Sequence, residues 1–323
     1  MRSISRLCRI AAATVPMLFV TACDGQEIRE AGGAPLRSEG ESSAGLNESA
    51  NPASCTVADA ARPLPGVTRE SSGLSQSRLD PSIFWTHNDA GNEPLLYAIA
   101  ADGRLAGTVR VQAATLTDWE DIAAGPCGGS SCLYVGDIGD NDEKRNSITI
   151  YEVPEPVAGA RSSAPAKALQ ARYPAGARDS EAMFVTGNNL YLVTKGRSGP
   201  IELYRYPLSA RPSGVATLEL VRELMPAPQS NNDRVTSAAA SPDGQWVGIR
   251  TYRTLYLYPA SSLIASGGNA LNPLVMQLGA VGESNGEGLE LANDGTVWLS
   301  SEGTKKKASS WTKLNCTLPR QSS

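Results

Sequence analysis

Three glutamates in this chain stand second in short runs that open alike: Trp119-Glu120-Asp121-Ile122, Ser180-Glu181-Ala182-Met183 and Gly286-Glu287-Gly288-Leu289. Two further runs, Ser71-Ser72-Gly73-Leu74 and Thr236-Ser237-Ala238-Ala239, put a serine at that position. Three carboxylates brought together repel one another and their pKa values rise unless a cation neutralises them. Glutamate and seryl oxygens, completed by backbone carbonyls and water, suit a hard ion such as Ca²⁺. Zn²⁺ fits poorly, because the chain has one histidine, His87, and no spare thiols. The alternative is that each glutamate pairs with a nearby lysine or arginine.

What would bring them together is the spacing. The series Ser72, Glu120, Glu181, Ser237, Glu287 recurs at intervals of 48, 61, 56 and 50 residues, and a near-constant period of that length marks repeated structural units. Each interval divides into strand-like runs cut by turn residues. In the second unit these are 120–124, 133–137, 148–153 and 168–173; in the fourth, Ser241-Pro242-Asp243-Gly244 is a tight-turn signal between 237–240 and 246–250. The predicted fold is all-β, a five-bladed β-propeller, with six blades as the alternative. Too few residues follow Glu287 for a full unit, so a strand within 56–68 is expected to complete the last blade and remove the open edge. The first strand of each blade lines the axial channel, which sets the five positions around a ring. Residues 261–270 are a loop or a helical turn.

The loops after the second strands meet at one channel mouth. They carry His87, Asn88 and Asp89; Asp137, Asp140 and Asn141; Lys195 and Arg197; Arg250, Tyr252 and Arg253; and Glu302. Basic residues beside acids are what a pocket for a phosphate-bearing ligand and a cation needs, and Asp89, Asp137, Lys195 and Arg250 are the candidate catalytic residues. Salt bridges between blades and turn caps are the plainer reading. The stretch 137–141 holds two glycines among three oxygen donors but lacks EF-hand spacing. Gly282-Glu283-Ser284-Asn285-Gly286 spells G-x-S-x-G, yet it leads into a strand and the histidine precedes it, unlike a hydrolase elbow. Lys305, Lys306 and Lys307 read as a solvated turn.

Aromatic content of 6%, with 31 Gly and 21 Pro, favours many short strands over long helices. Net charge is −4, more negative once the basic N-terminus is set aside, which argues against a nucleic-acid partner. Arg2, Arg6 and Arg9 precede an apolar run over 10–22, a secretory leader too short for a stable anchor. Residues 23–54, rich in Gly, Ser, Ala and Glu, read as a flexible tether, leaving 55–318 as one domain. In an oxidising compartment Cys127 and Cys132 suit a local disulfide across a turn, and Cys55 and Cys316 one that clips the ring shut. Metal binding by these four is the alternative.

Val20-Thr21-Ala22-Cys23 resembles the lipobox of bacterial lipoproteins, which implies lipidation at Cys23 and a membrane-tethered protein on the extracytoplasmic side, periplasmic or at the cell surface. The alternative is an ordinary leader with an incidental cysteine. The order Ser, Glu, Glu, Ser, Glu on successive innermost strands resembles the calcium-activated nucleotidases, or soluble apyrases. That resemblance implies one axial Ca²⁺ held by Ser72, Glu120, Glu181, Ser237 and Glu287. Glu70-Ser71-Ser72-Gly73-Leu74, Trp85-Thr86-His87-Asn88-Asp89, Trp119-Glu120-Asp121-Ile122-Ala123 and the run from Tyr134 to Asn141 are closer in wording to secreted bacterial propellers of no known activity. Two functions follow as expectations: a monomeric binding or scaffold module with a small anionic ligand or a protein partner, or a Ca²⁺-dependent hydrolase of nucleotides or other phosphate-containing small molecules.

Overall fold

Strands of two to nine residues, cut by Gly, Asn and Asp turns, pair into five mainly antiparallel sheets. The structure, a computed structural model, describes residues 51–210, 213–267 and 270–321. The leader, Cys23 and the tether up to residue 50 lie outside the described residues.

Four of the five sheets take their strands in chain order. Blade 1 runs Ser71–Gln76, Ile83–Asn88, Leu95–Ala100 and Leu105–Gln112. Blade 2 runs Trp119–Cys127, Ser130–Asp137, Ile148–Pro154 and Lys167–Arg172; blade 3 runs Ser180–Thr186, Asn189–Thr194, Ile201–Pro207 and Glu219–Met225. Blade 4 runs Val235–Ala240, Trp246–Thr251, Thr254–Pro259 and Leu274–Gln277. Blade 5 has Asn285–Leu291, Thr296–Glu302 and Ser310–Cys316 from the C-terminus and Cys55–Pro63 from the N-terminus. The fold is therefore the five-bladed propeller that the period predicts, closed by the N-terminal strand. Each first strand packs against the first strands of both neighbours, and blade 5 returns to blade 1.

Burial follows position in the ring. First strands are buried along almost their whole length, while the outer strand Leu105–Gln112 alternates buried and exposed, as a strand with one solvated face must. The apolar core is accordingly split into five clusters, one in each gap between neighbouring blades. In the gap where blade 5 meets blade 1, Phe84 meets Trp298 and Trp311 edge-on at 5.1 and 5.0 Å. Both expected disulfides are formed, Cys55–Cys316 and Cys127–Cys132. The first joins residues that face each other across the pair of strands closing the ring.

Three blades carry an added parallel edge strand. Ser162–Pro165 lies on blade 1, Ala216–Thr217 on blade 2 and Asn51–Pro52 on blade 4. These segments cover outer edges that would otherwise offer unpaired backbone groups. The chain leading into the first passes so close to blade 1 that a side chain at Gly107 would collide with the Ala158 carbonyl. The third takes up residues otherwise read as tether. The 261–270 region begins with one helical turn, Ala260–Leu263.

Candidate functional site: an acidic channel mouth

Antiparallel pairing puts the start of each first strand and the end of each second strand at the same end of the channel. Near that start the pairing slips by one residue. Glu120 lies unpaired between Trp119 and Asp121, which face Asp137 and Gly136. Glu181 and Glu287 occupy the same bulged position in blades 3 and 5. A bulge re-aims its extra residue, so the three glutamates share one structural position. In blade 4 that position belongs to Thr236, not Ser237. Thr236 donates its hydroxyl to the Gly286 carbonyl at 2.8 Å. Ser72 donates to the Glu120 carbonyl at 2.8 Å, and Ser237 donates to the Asp121 carboxylate at 3.2 Å.

The glutamates meet further acids. Carboxylate oxygens of Asp89, Asp118 and Glu120 lie within 4.8 Å of one another, an arrangement able to hold a metal ion. Glu181 lies close enough to Glu120 to raise its pKa and forms an ion pair with Lys195. Asn285 donates to both Glu287 Oε1 at 2.9 Å and Glu302 Oε2 at 2.6 Å, and the Glu287 carboxylate is near enough to Tyr252 to help raise its hydroxyl. Glu287 is 5% exposed, and its Oε2 has no hydrogen-bond partner. The backbone of Gly139 closes the cluster on one side, where any side chain would collide with Glu120 and Asp118.

Charge is unbalanced here. Burial raises Glu120 and Glu287 well above the usual carboxylate range, and repulsion from Glu181 adds to both. Burial lifts Asp118 to about 6, helped by Asp89 and Asp179. It lifts Glu181 to about 7 despite Lys195. Asp89 and Glu302 are raised for the same first reason. Lys195 acts on five of these six carboxyls, and Arg145 and Arg250 reach only Asp118 and Glu287 from the side, so the acids outnumber the cations. Oxygen-only donors, crowded, half-buried or buried and in part unpartnered, fit a hard divalent cation by charge and by chemistry.

The other predicted residues are placed apart from this cluster. Asp137 accepts the Arg145 guanidinium at 2.9 Å and the N–H groups of Thr117 and Asp118 at 3.1 and 3.2 Å. Arg250 is fully buried, ion-paired with Glu283 and donating to the Gly288 carbonyl at 3.2 Å. Arg197 joins Asp179 at 2.9 Å and also reaches Asn141; Asp140 accepts the Arg145 N–H at 2.7 Å. Arg253 pairs with Asp233, and His87 is buried with Nδ1 3.1 Å from the Asn88 carbonyl. Ser284, the serine of G-x-S-x-G, donates to the Glu302 carbonyl at 2.6 Å.

Two contributors are not singled out by the period. Asp118 sits in the turn just before the strand Trp119–Cys127, which brings its carboxylate beside Glu120. Asp121 is fully buried and accepts N–H groups from Ile122, Met183 and Ala238 at 2.9, 2.8 and 3.2 Å.

Fold and site together define a five-bladed β-propeller with a buried acidic cluster at one channel mouth. No protein-family profile and no curated protein matches the sequence. Among solved structures, the PQQ-bound aldose sugar dehydrogenase of Streptomyces coelicolor is similar at a TM-score of 0.50 and 11% identity, over 82% of this chain and 98% of that one. Hydrazine synthase of Kuenenia stuttgartiensis is similar at a TM-score of 0.40 and 14% identity, over 73% of this chain and 57% of that one. The first is a likeness of fold alone.

Proposed function

We propose that this protein is an extracytoplasmic, lipid-anchored binding module that holds one Ca²⁺ in the acidic mouth of its channel. Asp89, Asp118, Glu120, Glu181 and Glu287 are the ligands, and Lys195 offsets part of their charge. The observation that carries the reading is Glu287 Oε2, buried and without a partner beside other carboxyls. A buried acceptor left unpaired costs about 1–3 kcal/mol, more when charged, and a cation removes that cost. The disulfides fit an oxidising compartment, and Val20-Thr21-Ala22-Cys23 supports the anchor.

Calorimetric titration of the full chain with Ca²⁺ and Mg²⁺ tests the reading. Ca²⁺ is expected to bind at one site and to raise stability by about 2.7 kcal/mol at a hundredfold excess over its dissociation constant. Glu287→Gln is expected to weaken binding while the fold persists. No heat of binding, and a melting temperature indifferent to both Ca²⁺ and chelator, would overturn it.

A second reading, Ca²⁺-dependent hydrolysis of phosphate-containing small molecules, is favoured by a cavity of about 500 Å³ beside Lys195 and Tyr252. Asp137 and Arg250 are held in ion pairs, which leaves Asp89 as the candidate base. Phosphate release from nucleotides, dependent on Ca²⁺ and lost in Asp89→Asn, would establish it.

A further inference from the structure

The cavity beside the acids has the opposite electrostatic character. Lys195, Arg197, Arg234 and Arg253 line it, with Tyr252 and Ser284. Three of these cations are already engaged, Lys195 by Glu181, Arg197 by Asp179 and Arg253 by Asp233. Glu283, on the same wall, is held by the buried Arg250. Arg234 differs. It is half-buried, its N–H bonds the Asn231 carbonyl at 3.1 Å, and its guanidinium makes no ion pair or hydrogen bond among the described residues.

The position of Arg234 is fixed by its backbone. It follows the short turn Asn231–Asp233 and leads directly into the first strand of blade 4, Val235–Ala240. A guanidinium lining a cavity presents a planar fork of donors suited to carboxylate or phosphate. The rest of the wall adds amides from Asn231, Asn232 and Asn285 and hydroxyls from Tyr252 and Ser284, with no aliphatic side chain. Such a lining disfavours an apolar ligand. A volume of about 500 Å³ lies in the range of small-molecule sites and exceeds the needs of a lone inorganic anion.

We infer that this cavity binds a hydroxyl-rich small molecule bearing a phosphate or carboxylate group, with Arg234 as the anchor for that group. Lys195 lines the cavity and pairs with Glu181, and Tyr252 lines it within electrostatic reach of Glu287. The far end of the ligand therefore faces the cation site. Only this last part rests on the Ca²⁺ reading.

The test is calorimetry on the full chain with phosphate, glucose 6-phosphate and glucuronate as probes and glucose as the uncharged control, each in Ca²⁺ and in chelator. At least one oxyanion is expected to bind and glucose is not. Arg234→Gln should weaken that binding about tenfold or more, the scale of one charge-assisted contact, with the melting temperature unchanged. Glutamine keeps donors but not the charge, so rescue by Arg234→Lys distinguishes charge from shape. Failure of all three oxyanions to bind, or an Arg234→Gln protein that binds them as the wild type does, overturns the inference. The two readings separate cleanly. Arg234-dependent oxyanion binding without Ca²⁺ binding leaves this site standing and removes the cation; Ca²⁺ binding without any oxyanion binding does the reverse.

Discussion

Ser237 of blade 4 donates its hydroxyl to Asp121 of blade 2, 3.2 Å from Oδ1 and 3.3 Å from Oδ2. The same carboxylate accepts backbone N–H groups of Met183 in blade 3 and Ala238 in blade 4. One side chain thus ties three first strands together below the acidic mouth. Asp121→Ala leaves these donors and the Ile122 N–H without an acceptor. At about 1–3 kcal/mol for each buried orphan, partly relieved by water, the expected loss is on the order of 3 to 6 kcal/mol. Urea denaturation measures it; a loss below about 1 kcal/mol would remove Asp121 from this role.

Asp137 is expected to act through structure. Its carboxylate is 2% exposed and holds Arg145 together with two N–H groups of the Thr117-Asp118 turn. Asp137→Asn removes the charge facing Arg145, which is 22% exposed, and should cost about 2 to 4 kcal/mol, discounted for the solvent that reaches the guanidinium. Since that turn carries Asp118, Ca²⁺ affinity should fall modestly. Full stability combined with complete loss of a hydrolytic activity would point instead to direct chemistry at Asp137.

The ring was legible because its period is written in repeated short motifs, and the closing strand followed from the residues left over after Glu287. The role of Asp121 was not legible. Glu120 and Asp121 are consecutive, and a regular strand sends consecutive side chains to opposite faces; only the bulge at Glu120 upsets that alternation. The bulge also explains why matching Ser237 to Glu120 in the series misses by one residue. Asp118 lies in the turn before the strand, where alternation along a strand gives no signal. The edge strand Ser162–Pro165 carries no strand signal, since Pro165 and its serines are turn formers. The ion pairs of Lys195 and Arg250 depend on rotamers that spacing does not encode.

The Cys55–Cys316 bond spans 261 residues of sequence and joins the two termini of blade 5. In the chain-entropy model a loop of that length is worth about 5 kcal/mol, with measured values often smaller. A double Cys55→Ala, Cys316→Ala chain should lose much of that, whereas removal of Cys127 and Cys132, five residues apart, should cost less. Denaturant midpoints of the two double variants give the comparison. An equal loss in both would contradict the ring-closure role.

The opposite end of the channel supplies a pH test. Glu290 is 7% exposed and accepts the N–H of Gln76 at 2.7 Å and that of Leu291 at 2.9 Å, linking blade 5 to blade 1. Burial raises it to about 7 from an ordinary 4.5, although both N–H groups oppose the rise. Below pH 4.5 folded and unfolded chains both hold this proton. Between about 4.5 and 7 the folded chain keeps a proton that the unfolded chain has released, so stability falls as pH rises, and above 7 it levels off at the lower value. Other buried acids act in the same direction, so the wild type alone cannot isolate Glu290. Glu290→Gln has no proton to lose there, whatever its overall stability. Urea denaturation of both proteins in chelator, from pH 4.5 to 7.5, should show the wild type losing more than the variant, by up to about 3 kcal/mol. A difference that is flat or of opposite sign would mean that Glu290 is already ionised in the folded ring, with its two N–H bonds outweighing its burial.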